Sequence, residues 1–85
     1  MNYIDYKMKE IKREINKIFE LYTIKAKNNK SELGFDLMQI HFNLNSIYTL
    51  YDVNDLTFEN REDLRNFISV CYEEYLKSIK KIKSN

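Results

Sequence analysis

The sequence predicts an all-α protein, an antiparallel up-down-up bundle of three helices, on three observations. Proline is absent and Gly34 is the only glycine, so the chain lacks the residues that hairpin turns, bulges and phosphate-cradling loops need. Apolar residues recur at alternating steps of three and four through most of its length, which is the period of a helix. Two short stretches rich in Asn, Ser and Asp interrupt that period, and such residues favour turns and caps over helix interiors.

In the first segment Ile4, Met8, Ile11, Ile15, Ile18, Tyr22 and Ala26 form a seam six turns long, with charged residues between them. Glu10 and Glu14 stand beside Arg13 and Lys17 at the three- and four-residue separations that place side chains together on an exposed helix face. A helix is predicted over 3–27. The break follows in Lys27-Asn28-Asn29-Lys30-Ser31. Asn29 with Glu32 could form a capping box, and so could Asp36 with Gln39, in which case Gly34 would belong to the turn.

Either start leads into a second seam, Leu33, Leu37, Ile40, Leu44, Ile47 and Tyr51, and a helix is predicted over 31–52. Asp52 to Asp55 reads as the next connector. Thr57 or Asn60 is the expected cap of the third helix, with Glu59, Glu62 and Asp63 at its positive end. Leu64, Phe67, Ile68, Cys71, Tyr72, Tyr75, Leu76, Ile79 and Ile82 form its inward face, and a helix is predicted over 58–82. Short connectors make consecutive helices antiparallel neighbours. Residues 1–85 are expected to form one domain, near the size at which a single core suffices without disulfides or metals.

Composition narrows the classes of function. Hydrophobic residues make up 44% and charged residues 32%, a globular balance rather than a disordered one. The longest stretch without charge, Leu37 to Tyr51, contains Gln39, His41, Asn43, Asn45 and Ser46 and is too short and too polar to span a bilayer. One cysteine cannot form an intramolecular disulfide, and Met1 to Asp5 lack the basic-then-apolar layout of a signal peptide. Lys, Asn, Ile, Tyr, Phe and Met, all read from A/T-rich codons, supply 46 of the 85 residues. The expectation is a cytoplasmic protein of an A+T-rich bacterium or of its phages and plasmids.

No residue pattern carries chemistry. His41 is the only histidine and Cys71 the only cysteine, whereas a metal site needs three or four convergent ligands. A general base needs a nucleophile held beside it. His41 reads as a boundary residue and Cys71 as a small core hydrophobe. Neither a phosphate-binding G-x-x-x-x-G-K nor a paired-carboxylate constellation is present. An enzyme is not expected, nor is a cofactor.

Charge and the middle helix carry the remaining signal. Residues 1–30 hold eight Lys and Arg against four acidic residues, residues 31–60 hold five acidic residues and no basic one, and residues 61–85 hold six basic against four acidic. One account is that the middle helix packs between two basic helices and needs few charges of its own. A second follows from the helical wheel. Phe35, Met38, Phe42 and, less tightly, Thr49 fall nearly opposite the inward seam of the second helix, which therefore has two dry stripes. That second stripe is expected to face a protein partner or a second copy, unless a flattened bundle lets the third helix cover Phe35 and Phe42.

The leading expectation is a small interaction module, an inhibitor or regulator that binds stoichiometrically to a larger protein, for which a basic, nucleic-acid-handling protein is one candidate, in the manner of antitoxins, immunity proteins and anti-defence proteins. Phe35, Met38, Phe42, Asn45 and Thr49 would supply contact area, while Asp36, Asp52, Asp55 and Glu59 would steer the encounter. Tyr22, Tyr51 and Tyr75 are expected in the core with their hydroxyls reaching the surface, and Tyr3, Tyr6 and Tyr48 are less committed. A nucleic-acid-binding regulator acting through Lys77, Lys80, Lys81 and Lys83, with Lys25, Lys27 and Lys30 as a second group, is the first alternative. A homodimeric subunit of a phage or plasmid assembly is the second.

Overall fold

The first helix begins where Asn2 can cap it. In the computed structural model, which describes residues 2–84, the Asn2 side chain accepts a hydrogen bond from the Asp5 backbone N–H and helix α1 runs Tyr3–Lys27. It ends in a Schellman turn: Asn29 adopts a left-handed φ of 57°, the Lys30 N–H donates to the Lys25 carbonyl and the Asn29 N–H to that of Ala26. Asn is the residue after Gly that best tolerates this conformation. Asn29 thus closes α1 and does not cap the next helix.

Helix α2 runs Leu33–Leu50. Neither expected capping box forms. Glu32 itself occupies the cap position, its carboxylate accepting from the Phe35 N–H at 3.1 Å, and Gly34 lies inside the first turn. A left-handed Asp52 and a single 3-10 turn, Val53–Asp55, lead out of α2. Val53 and Leu56 are buried under this end of the bundle. The connector is therefore part of the core, which its polar neighbours concealed in the sequence. Thr57 then caps α3, Phe58–Ser84, by accepting from the Asn60 N–H.

The three helices form the predicted bundle, and the described residues contain no strand. Helix α1 packs along both α2 and α3, so the basic first helix, rather than the charge-poor middle one, is the shared member. Met8, Ile11, Ile15, Phe19, Tyr22 and Ala26 face inward from α1, Ile40, Leu44 and Ile47 from α2, and Leu64, Ile68, Tyr75 and Ile79 from α3. The ring of Phe19, outside the seam read from sequence, meets Tyr72 edge-on at 4.9 Å and Tyr75 at 6.1 Å. Ile4 and Leu76, placed inside by their spacing, are exposed. Ile4 lies in the first turn of α1. The wet faces carry the expected local pairs, Arg13 with Glu10 and Lys17 with Glu14. Lys12 on α1 reaches Asp63 on α3 at 2.9 Å.

Candidate functional site

Two features of α2 separate it from its neighbours, one on each side of the helix. On the inner side sits Asp36, wholly buried. An isolated carboxylate could not remain ionised there. Lys25 of α1 approaches one of its oxygens at 3.1 Å, and the Ser31 hydroxyl donates to the other at 2.8 Å. Burial pushes the Asp36 carboxyl up, but the Ser31 and Lys25 hydrogen bonds and the Lys25 charge outweigh it and hold the group below its ordinary 3.8. Asp36 therefore anchors α2 to α1 and is withdrawn from solvent, which removes it from the residues expected to steer a partner.

Near this pair the Tyr75 hydroxyl is buried and makes no hydrogen bond to any described residue. It does not reach the surface as the sequence suggested, because Tyr75 lies deep beside Phe19. Burial, with the Asp36 charge adding to it, raises the pKa of this phenol, and the nearby Ser31 side chain opposes the rise without forming a well-aligned hydrogen bond. Cys71 is half-buried, its thiol 3.7 Å from the Asn16 side-chain oxygen, and burial pushes that thiol up as well. A raised thiol pKa depletes the nucleophilic thiolate. His41 is exposed and its imidazole lies 3.3 Å from the Asn45 amide one turn on. Among the described residues no three His, Cys, Asp or Glu side chains gather to hold a metal. No helix of the described residues is long and apolar enough to cross a membrane.

The outer side of α2 is where the sequence-predicted residues come together. Phe35, Met38 and Phe42 are 51%, 62% and 68% exposed, and Leu50, not singled out by its spacing, is 74% exposed. Helix α3 does not cover them, so the bundle is not flattened in the way that would have explained the second stripe. Asn45 and Thr49 continue the same line and are exposed. The positions 35, 38, 42, 45 and 49 are separated by three, four, three and four residues, the spacing of a two-helix seam. His41, Phe42, Asn45, Ser46, Thr49 and Leu50 line one shallow depression along it.

Other large apolar side chains are exposed too, but each has charged neighbours. Leu21 and Ile24 on α1 lie among Lys17, Glu20, Lys25 and Lys27, and Val70 on α3 lies beside Glu73 and Glu74. Singly exposed apolar residues set among charges are normal on a protein surface. From Leu37 to Tyr51, α2 and its cap hold no charged residue. The middle of this face, Met38 to Thr49, combines exposure, apolar side chains and absence of charge, whereas at its ends the Lys25 ammonium lies 5.8 Å from the Phe35 ring and Leu50 lines a hollow with Lys7, Glu10 and Asp52.

Charges gather instead beyond the two ends of α2. Asp52 and Asp55 are exposed in the connector at its C-terminus, and Glu59 is exposed at the start of α3. At the other end Lys27 and Lys30 flank the turn into α2, and Asn29 and Ser31 of that turn line a hollow with Ile82 and Lys83 of α3. The lysines at the end of α3, Lys77, Lys80, Lys81 and Lys83, are exposed, with Lys77 3.9 Å from Glu74. Comparison with protein-family models, with curated proteins and with solved structures gives no match.

Proposed function

We propose that this chain is a protein-interaction module that acts by stoichiometric association, with the outer face of α2 as its working surface. One observation carries the reading: Phe35, Met38, Phe42 and Leu50 stand exposed on the outside of α2, and the middle of that face, from Met38 to Thr49, bears no formal charge. Aromatic residues and Met are enriched where proteins meet, and charged residues are depleted at the centre of such patches. Met adapts its shape to an uneven partner, and Phe42, near the middle of the face, is placed as the anchor. A chain bound there covers part of another polypeptide's surface, which is how a small inhibitor or regulator works.

Site-specific crosslinking in cells that carry the gene tests this. A photoreactive residue in place of Met38 is expected to give defined protein adducts, to a second copy or to another protein, and Phe42→Asp is expected to abolish them. The same residue in place of the exposed Lys17 on α1 provides the contrast. Equal labelling from both positions, or adducts at Met38 unaffected by Phe42→Asp, refutes the reading.

A further inference from the structure

We propose that the occupant of the outer face of α2 is a second copy of the same chain, packed antiparallel about a two-fold axis near Phe42. The inference rests on the reading of this face as the working surface and names what lies on it. Three observations converge on the same arrangement.

The first is spacing. Phe42 is the middle position of the line 35, 38, 42, 45, 49. In an antiparallel pair Phe42 meets its own copy on the axis, Met38 meets the Asn45 and Ser46 region, and Phe35 meets Thr49 and Leu50. Met38 thereby falls opposite the polar Asn45 and Ser46, Phe35 opposite Thr49 and the apolar Leu50, and the two Phe42 rings meet at the axis. The residues flanking the middle of the line, Gln39, His41, Ser46 and Tyr48, carry no Lys, Arg, Asp or Glu among them, and the charges that do approach it, Lys25 over the Phe35 ring and Glu32 at the cap, lie at one end, which antiparallel pairing keeps away from their own copies. An isologous interface places each patch against itself, so a patch with one sign of charge repels its copy. This one does not.

The second is charge at the ends. Antiparallel pairing brings the Asp52 and Asp55 end of one α2 to the Lys27 and Lys30 end of the other. None of these four side chains forms an ion pair with a described residue of its own chain. The last turn of α2 also contains no basic residue, so a lysine delivered by the other copy would complement the negative end of its dipole. Parallel pairing would set acid against acid and lysine against lysine.

The third is area. Large side chains present roughly 150–250 Å² each when fully exposed, so Phe35, Met38, Phe42 and Leu50 contribute about 400–650 Å² of mostly apolar surface per copy. With the polar side chains between them the face approaches the roughly 800 Å² per partner of a standard interface. Area alone does not fix affinity, since interfaces of this size span micromolar to picomolar; a shallow face with few anchors belongs at the weak end, about micromolar. A foreign protein bound to the same face would compete with the dimer.

Sedimentation of the full chain over about 2–200 µM, a range set by that expected affinity, tests the proposal. A reversible monomer–dimer equilibrium is expected, lost in Phe42→Asp and in Met38→Glu, with circular dichroism verifying that both variants remain helical. Replacing Lys27 and Lys30 by Glu is expected to weaken the dimer roughly threefold to tenfold at low salt. Adding Asp52→Lys and Asp55→Lys to that variant is expected to restore it. A wild-type chain that stays monomeric throughout, or a dimer indifferent to Phe42→Asp and Met38→Glu, overturns the proposal. A dimer that the charge reversals leave unchanged overturns the antiparallel arrangement. If the chain is monomeric while Met38 crosslinks to a different protein in a Phe42-dependent way, the second copy is refuted and the interaction reading stands. With no such crosslinks, both fall.

Discussion

Ile40 and Phe42 stand two residues apart on α2 and point in opposite directions. Ile40 is wholly buried between α2 and α1, while Phe42, the larger side chain, is 68% exposed. The contrast extends along the helix: a charged residue, Asp36, lies inside, and Phe35 and Met38 lie outside. Helix α1 is ordered the other way over its first four turns. Met8, Ile11 and Ile15 are inside, and the pairs Arg13 with Glu10 and Lys17 with Glu14 are on the wet face. On α1 the exposed apolar side chains, among them Leu21 and Ile24, are scattered among charges, whereas on α2 they line up opposite the buried seam. Burying Asp36 costs desolvation, which Lys25 and Ser31 offset, while exposing Phe42 gains nothing in the monomer, and it is this imbalance that the proposed interface would answer.

The contrast between the two sides is quantitative and can be broken from the inside first. Ile40→Ala removes three methyl-sized groups from a fully buried position and is expected to cost about 2–4 kcal/mol of unfolding free energy, read by urea denaturation. For a domain of this size that is a large share of its stability. A loss below about 1 kcal/mol would mean that α2 is not seated on α1 as described.

Asp36→Asn sharpens the comparison from the other buried position on that side. Leaving the ammonium of Lys25 without its carboxylate is expected to cost about 2 kcal/mol at neutral pH, less than for a fully enclosed pair because Lys25 is partly exposed. The sign of the pH dependence follows from the lowered carboxyl pKa. A group whose folded pKa is depressed contributes its stability above its unfolded value, ordinarily 3.8, and loses it as pH falls through the folded value. The gap between wild type and Asp36→Asn is therefore expected to be constant from pH 7 down to about 5 and to close below about 4. A gap that persists undiminished in acid would assign the effect to packing.

The helices themselves were legible because period and composition agree: seams of three and four with no proline leave no competing structure. Asp36 was legible in principle, since it lies three residues after Leu33 and four before Ile40 and so falls on the inward arc. What the sequence hides is its partner. Lys25 belongs to another helix, and which lysine faces which arc depends on how the helices are rotated against one another. Phe19 was missed for a related reason, since it adjoins the seam residue Ile18 and only the placement of Tyr72 and Tyr75 on α3 decides which of the two is enclosed. Val53 and Leu56 were hidden by the polar residues around them, because a 3-10 turn can bury a side chain that no helical period reveals. The outer stripe of α2 was legible as a stripe. Its exposure was not, because a flatter bundle satisfies the same pattern.

The smallest expected effect separates the two sides of α2 most sharply. Phe42→Ala deletes more apolar surface than Ile40→Ala, yet it is expected to change the stability of the monomer by no more than about 0.5 kcal/mol, because the ring is already in water when the chain is alone. The measurement belongs at about 1 µM or below, under the concentrations at which an interface of this size would hold, since association stabilises the folded state by mass action and would otherwise enter the result. Raising the concentration should then separate the proteins: wild type gains apparent stability with concentration, and Phe42→Ala does not. A loss of more than about 1 kcal/mol at the lowest concentration would place Phe42 inside the fold. The exposed stripe would then be a second core contact, and the surface on which the functional reading stands would be gone.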